Sequence, residues 1–239
     1  MNDLLQMTIA AHGGLDRWNG FRRLDVDVSV DGGIWYLKQQ PRLLIDKRVA
    51  IGTHEERLTI TPFGGADNRS VFTPRRLWIE SLGGELVEAR DDPGKSFEGH
   101  AVETAWDPLH VVYFSGEALW TYLTMPFLYS YPGFAVEEVA PWHEDGETWR
   151  SLKVTFPDGV ASHTRQQITR IGPDGLIRRH DYTVDILGGA TGAKYTSGYR
   201  DFQGIRVPTI HRVYAYDASM RKVAEPLLVS IDIADATFR

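Results

Sequence analysis

Hydrophobic and polar residues alternate in short runs along most of the chain, and turn residues rich in glycine and proline separate the runs. This is the pattern of strands that each bury one face, and its regular spacing predicts an antiparallel sheet rather than a doubly wound α/β fold. The strands predicted in the first part are Leu24–Val30, Ile34–Gln39, Leu43–Ala50, His54–Thr61, Arg69–Thr73, Arg76–Glu80 and Glu85–Arg90. Those predicted in the second part are Val136–Trp142, Trp149–Phe156, His163–Ile171, Ile177–Ile186, Ala193–Phe202, Ile205–Ala215 and Leu227–Ala234.

Two segments carry apolar residues at helical spacing instead. Residues 2–12 predict an amphipathic helix, which Gly13 and Gly14 end. The second segment, from Trp106 to Pro132, contains eight aromatic residues.

The start of this aromatic segment has the signals of a helix N-terminus. Asp107 suits the N-cap and Pro108 the first helical position, and Pro126 stops the apolar repeat. The remaining residues, 127–133, are expected to form a loop or a short turn. We therefore expect a core helix with an aromatic loop, which fills or gates a curved sheet.

Charge and composition exclude several classes of function. The formal net charge is −6, and residues 96–149 hold nine acidic residues but no lysine or arginine. A nucleic-acid site needs a basic surface, so no nucleic-acid partner is expected. The aromatic segment lacks the flanking cations of a membrane span, so membrane insertion is not expected either. The chain has no cysteine and no recognisable signal peptide at its start, which favours a cytoplasmic location.

Two stretches resemble a known superfamily. AAHGGLDRWNGFRRLDVDVSV and YTSGYRDFQGIRVPTIHRVY are similar to the LolA/LolB-like superfamily of lipoprotein carriers, which includes the VioE type. The similarity covers the first 30 residues and roughly residues 147–215. It implies one domain over residues 1–239: a mainly β, single curved antiparallel sheet that forms an unclosed barrel. An N-terminal helix and the central aromatic helix and loop would pack in its concave face. Known members bind acyl chains, and the VioE branch is a cofactor-free enzyme.

Alternation along the strands indicates which side chains face the concave side. The residues assigned to it are His180, Tyr182, Tyr195, Tyr199, Thr209 and His211. Histidine titrates near neutral pH, so His180, His211 and Tyr182 are the candidate acid–base groups. The alternative is that these polar side chains only find hydrogen-bond partners in the core, which is the commoner role of buried histidine and tyrosine.

The remaining candidates are ligand-contacting residues, most of them in the aromatic segment. They are Trp106, His110, Phe114, Trp120, Phe127, Tyr131 and His163. Glu117 is expected to be solvated or paired; if it were buried, it would be the best general acid. His54 and Glu56 could share a strand face, but the pair is too weak a motif to predict a metal site. Neither a phosphate-binding loop nor a cofactor motif is recognisable, so no cofactor is expected.

Three functions are consistent with these observations. The first is a binding protein for an apolar or aromatic small molecule. The second is a cofactor-independent enzyme of secondary metabolism that uses the same cavity. The third is an accessory interaction module, which exposure of Trp120 and Phe127 would favour. The sequence does not indicate the ligand or the oligomeric state.

Overall fold

The computed structural model describes residues 2–239, which form four α-helices and thirteen strands. The helices are α1 (Asp3–Ala11), α2 (Leu15–Asn19), α3 (Gly33–Leu37) and α4 (Pro108–Thr124). The first strands are β1 (Arg23–Asp31), β2 (Lys47–Gly52), β3 (Leu58–Thr61), β4 (Asn68–Phe72), β5 (Arg76–Ser81) and β6 (Leu86–Asp91). The others are β7 (Ala135–Glu144), β8 (Glu147–Thr155), β9 (Gln166–Ile171), β10 (Ile177–Val184), β11 (Ala190–Phe202), β12 (Ile205–Tyr214) and β13 (Val229–Phe238).

All thirteen strands belong to one antiparallel sheet. Its order is β6-β5-β4-β3-β2-β1-β13-β12-β11-β10-β9-β8-β7, so two meanders meet where β1 pairs with β13. The two edge strands, β6 and β7, do not pair with each other, and the sheet is therefore not closed into a barrel. The predicted fold class, a mainly β chain with one unclosed antiparallel sheet, is confirmed.

Helix α4 connects the two meanders and packs against the sheet. As predicted, Asp107 caps it by accepting a hydrogen bond from the His110 backbone N–H, and Pro108 is its first residue. All its residues except Pro108 and Tyr113 are buried. At Gly116 the Phe72 ring of β4 approaches so closely that a Cβ atom would clash with it. The helix is thus a core element with almost no solvent-facing side.

Two predicted strands in the first part of the chain differ from the structure. Ile34–Gln39 was expected to be a strand, but Gly33–Leu37 forms α3, whose adjacent residues Ile34 and Trp35 are both buried. This short apolar run lacks a strand partner because Gly32 lies against the backbone of Leu228 and bends the chain away from β1. The next predicted strand begins at Lys47 rather than Leu43, after a loop with three non-glycine residues at positive φ.

Within residues 2–239, no helix has both the length and the apolar character needed to cross a membrane.

Candidate functional site

A pocket of about 300 Å³ opens between α3 and strands β10 to β13. Its walls include Ile34, Leu37, Val184, Leu187, Val213 and Leu228. Phe114 of α4 and Tyr182 of β10 also line it. Leu37 and Val102 are partly exposed, at 43% and 41%, and both line the pocket. An apolar concave space of this size lies at the lower end of the range for small-molecule sites, roughly 300–1,000 Å³.

A buried lysine stabilises one side of this pocket through hydrogen bonds to backbone carbonyls. The Lys38 ammonium donates hydrogen bonds to the backbone carbonyls of Ala101, Val102 and Thr104. Its side chain also lies over the Trp106 ring, with Nζ 4.8 Å from the ring centroid. Burial lowers the pKa of Lys38. These bonds hold Val102 next to α3, at the wall of the pocket.

A smaller cavity of about 20 Å³ lies deeper in the sheet and shares lining residues with the pocket. The shared residues are Phe114, Tyr182, Val213 and Val229. The deeper cavity is also lined by His163, which is only 5% exposed. The rings of Phe114 and Tyr182 thus separate an apolar outer pocket from a small inner cavity that has an imidazole in its wall.

Glu117 and His163 form a buried pair beside this inner cavity. The His163 Nδ1–H donates to Glu117 Oε1 at 2.7 Å, and the two side chains are 4% and 2% exposed. Glu117 comes from the middle of α4, and His163 from the loop before β9. His163 was expected within a strand, but β9 begins only at Gln166. A carboxylate that orients an imidazole is the arrangement that general-base catalysis uses.

Two tyrosines and a lysine adjoin this pair. The Tyr122 hydroxyl donates to the Tyr182 hydroxyl at 2.5 Å, and burial raises the pKa of both phenols. Lys194 lies with Nζ 3.9 Å from the centroid of the Tyr122 ring. Burial lowers the pKa of Lys194 to about 7. Lys194 thus brings an amine with a pKa near neutrality to the inside of the sheet.

His180 and His211 lie on the concave side and are buried in the core. His180 bonds Thr169 Oγ1 at 2.9 Å and Gln167 Oε1 at 2.5 Å, and it is completely buried. His211 Nε2 donates to the Pro208 carbonyl at 3.0 Å. Burial lowers the pKa of both imidazoles well below the usual value. Neither histidine lines the 300 Å³ pocket, whereas the third predicted acid–base residue, Tyr182, does.

The faces of β11 differ in part from those expected from alternation. Lys194, rather than Tyr195, lies on the inner side, opposite His180 of β10. Tyr195 lies on the outer side, where its hydroxyl donates to Glu144 Oε1. Alternation alone does not show which face of β11 is the inner one, because both faces carry aromatic and polar residues.

Past Gly198, which has a positive φ, the register of β11 with β12 is unchanged. Ser197 pairs with Ile210 and Tyr199 with Pro208. Tyr199 packs edge-on against His12 of α1, at 5.6 Å between ring centroids. Thr209, which is 8% exposed, donates to the Gly198 carbonyl at 2.7 Å. Neither Tyr199 nor Thr209 reaches the pocket.

Of the aromatic segment, only Phe114 among the predicted ligand contacts lines the pocket. Trp120 donates from its indole to the Gly52 carbonyl at 2.9 Å, and Phe127 stacks on Trp18 with centroids 4.3 Å apart. Both are 2% exposed. Tyr131 accepts a hydrogen bond from the same Trp18 and donates to the Thr53 carbonyl. These three residues therefore join the helix and its loop to the start of the sheet.

Trp106 and His110 lie at the N-terminal end of α4, away from the inner cavity. The Trp106 ring packs against Phe97 and Phe114, at 5.7 and 5.1 Å between centroids. His110 completes the cap of α4, since its Nδ1 accepts from the Asp107 backbone N–H and its Nε2 donates to the Ser96 carbonyl. Burial lowers the pKa of His110.

His54 and Glu56 do not share a strand face, because both lie in the loop before β3. Glu56 accepts a hydrogen bond from the Ala161 backbone N–H at 3.0 Å, and burial raises its pKa to about 9. Among residues 2–239, no group of three or more potential metal ligands is assembled.

Sequence reasoning missed Lys194, which falls on the outer face when its neighbour Tyr195 is assigned to the inner face. It predicted that Glu117 is solvated or paired but named no partner, and the structure shows it buried and paired with His163. For Lys194 the sequence held no clear signal, because β11 also carries threonine, serine, arginine and aspartate residues. For Glu117 the signal was its position in an apolar helix, where an unpaired carboxylate is costly to bury.

Comparisons with known proteins add structural likenesses only. No protein-family model and no curated protein matches this chain. It is similar to a LolA superfamily protein of Nitrosomonas europaea, with 11% identity, a TM-score of 0.49, and coverage of 94% of this chain and 91% of that one. It is also similar to a DUF1329 family protein of Desulfovibrio piger, with 11% identity, a TM-score of 0.48, and coverage of 98% and 91%.

Proposed function

We propose that this protein binds an apolar or aromatic small molecule in the 300 Å³ pocket. The observation that carries this proposal is the pocket itself, a space bounded by aliphatic and aromatic side chains at the open end of a sheet that is otherwise filled by α4. Burial of apolar surface would supply the affinity, at about 25 cal/mol per Å² removed from water. The residues bounding the inner cavity would contribute orientation.

Substituting Ala190 with tryptophan tests this proposal. Ala190 begins β11, lines the pocket and is only partly buried, so an indole there fills the space at little cost to the core. We expect the affinity for the neutral fluorescent probe N-phenyl-1-naphthylamine to fall at least tenfold, as measured by fluorescence titration. The matched control is Ser197→Trp on the same strand, where the side chain is exposed. Equal binding by wild type and the Ala190 variant, or no binding by wild type, would argue against the proposal.

A second candidate function is that of a cofactor-independent enzyme, and the Glu117–His163 pair is the observation that favours it. An imidazole oriented by a carboxylate can abstract a proton, and an apolar pocket beside it would hold the substrate. In this second candidate function, the general base is His163. It takes the place of the predicted His180 and His211, which are surrounded by packed core. The burial of Trp120 and Phe127 removes the feature that would have favoured an interaction module.

Proton exchange into an apolar ketone measures this activity directly. In heavy water, the α-C–H bonds of 2-tetralone would exchange for deuterium when His163 removes a proton and a deuteron returns to the same carbon. We expect wild type to accelerate this exchange, followed by NMR, and a Glu117→Gln/His163→Phe variant to lose the acceleration. An exchange rate equal to that of buffer in the wild-type sample would count against a general-base role.

A further inference from the structure

The inner cavity has room for one small polar group. Its volume of about 20 Å³ exceeds the roughly 10–15 Å³ that one water molecule requires. A single oxygen atom of a ligand therefore fits there, whereas a carboxylate or a phosphate does not. Glu117, next to His163 in the wall, would also repel an anion.

The wall of this cavity includes an acceptor on His163 and a donor on Tyr182, whose rings face each other. It also includes Trp35, whose buried indole N–H has no hydrogen-bond partner among residues 2–239, and Ser115, whose hydroxyl donates to the Val111 carbonyl. His163 uses Nδ1–H for Glu117, which leaves Nε2 as the acceptor, and no hydrogen bond to Nε2 is found within residues 2–239. The Tyr182 hydroxyl accepts from Tyr122, which leaves its own O–H to donate, and it too has no further partner among the described residues. The rings of His163 and Tyr182 lie 4.7 Å apart, centroid to centroid.

We infer that the pocket takes an apolar molecule with a hydroxyl group at one end, an alcohol or a phenol, whose oxygen enters the inner cavity. There the hydroxyl donates to His163 Nε2 and accepts from the Tyr182 hydroxyl, while the apolar body fills the outer pocket. A hydroxyl group is both donor and acceptor, as these two partners require. This inference rests on the proposed binding function and adds the chemical class of the ligand.

Two probes of nearly the same shape separate this inference from simple apolar binding. In 2-naphthol and 2-methylnaphthalene, a hydroxyl in one molecule replaces a methyl group in the other. We expect wild type to prefer 2-naphthol about tenfold, the effect of a net gain of hydrogen bonds in a desolvated site. Isothermal titration calorimetry measures both dissociation constants.

Two variants then show which residues produce the preference. Tyr182→Phe removes the donor, and Glu117→Gln/His163→Phe removes the acceptor without leaving a carboxylate unpaired. We expect both to lose the preference for 2-naphthol, so that the ratio of the two dissociation constants, measured within each variant, falls from about ten to about one.

Equal affinity of wild type for the two probes overturns the inference and leaves apolar binding intact. A tenfold preference that persists in both variants also overturns it, because the hydroxyl would then bind elsewhere. If wild type binds neither probe, the proposed binding function fails and the inference fails with it. Should a variant not fold, as judged by circular dichroism, the other variant and the wild-type comparison decide the question.

Discussion

Replacement of Asp181 with alanine is expected to lower the free energy of unfolding by about 3–5 kcal/mol, the loss found when one partner of a buried ion pair is removed. Asp181 lies on the outer side of β10, where its carboxylate accepts from Arg170 Nε at 2.7 Å and from Arg179 Nε at 2.5 Å. The three side chains are at most 4% exposed. Without the carboxylate, Arg170 has no acidic partner left among residues 2–239 and Arg179 is left with Glu144, so a buried cation is uncompensated.

The chain provides a matched control in an exposed ion pair between neighbouring strands. Arg212 and Asp232 join β12 to β13 at 2.8 Å, with side chains that are 32% and 51% exposed. Asp232→Ala should change the free energy of unfolding by less than about 1 kcal/mol, because solvent screens this pair. Urea unfolding followed by circular dichroism measures both variants. Asp181, Arg170, Arg179 and Glu144 form a network of ion pairs on the outer side of the sheet, the outer network. Equal effects of the two substitutions would contradict the assignment of Asp181 as its central anion.

The outer network also affects the pocket, because both are built on β10: one face of this strand carries the ion pairs and the other faces the pocket. Asp181 points outward, while its neighbours His180 and Tyr182 point to the concave side. The network joins β10 to β9, through Arg170, and to the loop at Met220, whose carbonyl accepts from Arg179. It thereby fixes the strand on which Tyr182 sits, and the Asp181→Ala variant should also bind apolar probes more weakly.

Local signals in the sequence were sufficient for much of this fold. The cap of α4 depends on Asp107 and Pro108, which act on the backbone within one helical turn, and the structure contains both as expected. The antiparallel meanders likewise follow from strand alternation and from turns between neighbours in the chain. Features that depend on residues close in sequence are therefore those that the pattern predicted best.

Features that depend on distant residues were harder to predict. Ile34–Gln39 starts with a short apolar run that is consistent with a strand, but Gly32 meets the backbone of Leu228, almost two hundred residues later, and α3 forms instead. On β11, nothing near Lys194 in the sequence shows that its ammonium will lie over the Tyr122 ring. The Glu117–His163 pair joins residues 46 positions apart. The last two contacts both involve residues of α4, the helix that fills the sheet.

The candidate site follows the same division. Tyr182 was predicted from strand alternation, which places it on the inward face, and Phe114 from its position in the aromatic segment. The histidine of the buried pair was predicted only as a ligand contact, since its carboxylate partner comes from another element. The aromatic segment is mostly core. The pocket is bounded mainly by aliphatic residues, which carry no chemical signal in the sequence.

Lys194→Met is expected to stabilise the protein at pH 6 by roughly 5 kcal/mol. The lysine is 1% exposed, and burial alone accounts for the fall of its pKa from 10.5 to about 7. At about 1.4 kcal/mol per pH unit, this difference between the unfolded and folded states gives the expected magnitude. Methionine has a similar length and no charge, so it fills the same space over Tyr122 without desolvating an ammonium group.

The pH dependence of this stability difference shows whether burial of the charged ammonium causes it. Below pH 7 Lys194 is protonated in both states, and the folded protein bears the full cost of burying the charge. Between pH 7 and 10.5 only the unfolded chain keeps this proton, so the Lys194 contribution to stability rises with pH. The difference between wild type and Lys194→Met should therefore shrink steadily across this range and become small above it. Chemical unfolding at a series of pH values measures the difference directly.

Lys153→Met is the control, because Lys153 lies on β8 with a side chain that is 37% exposed and paired with Glu137. It should shift stability by no more than about 0.5 kcal/mol at any of these pH values. A Lys194 variant that is less stable than wild type at pH 6 would mean that the ammonium has a compensating anion in the folded protein. The expected result would instead show that the inside of the sheet holds a neutral amine near physiological pH, beside the phenols that bound the inner cavity.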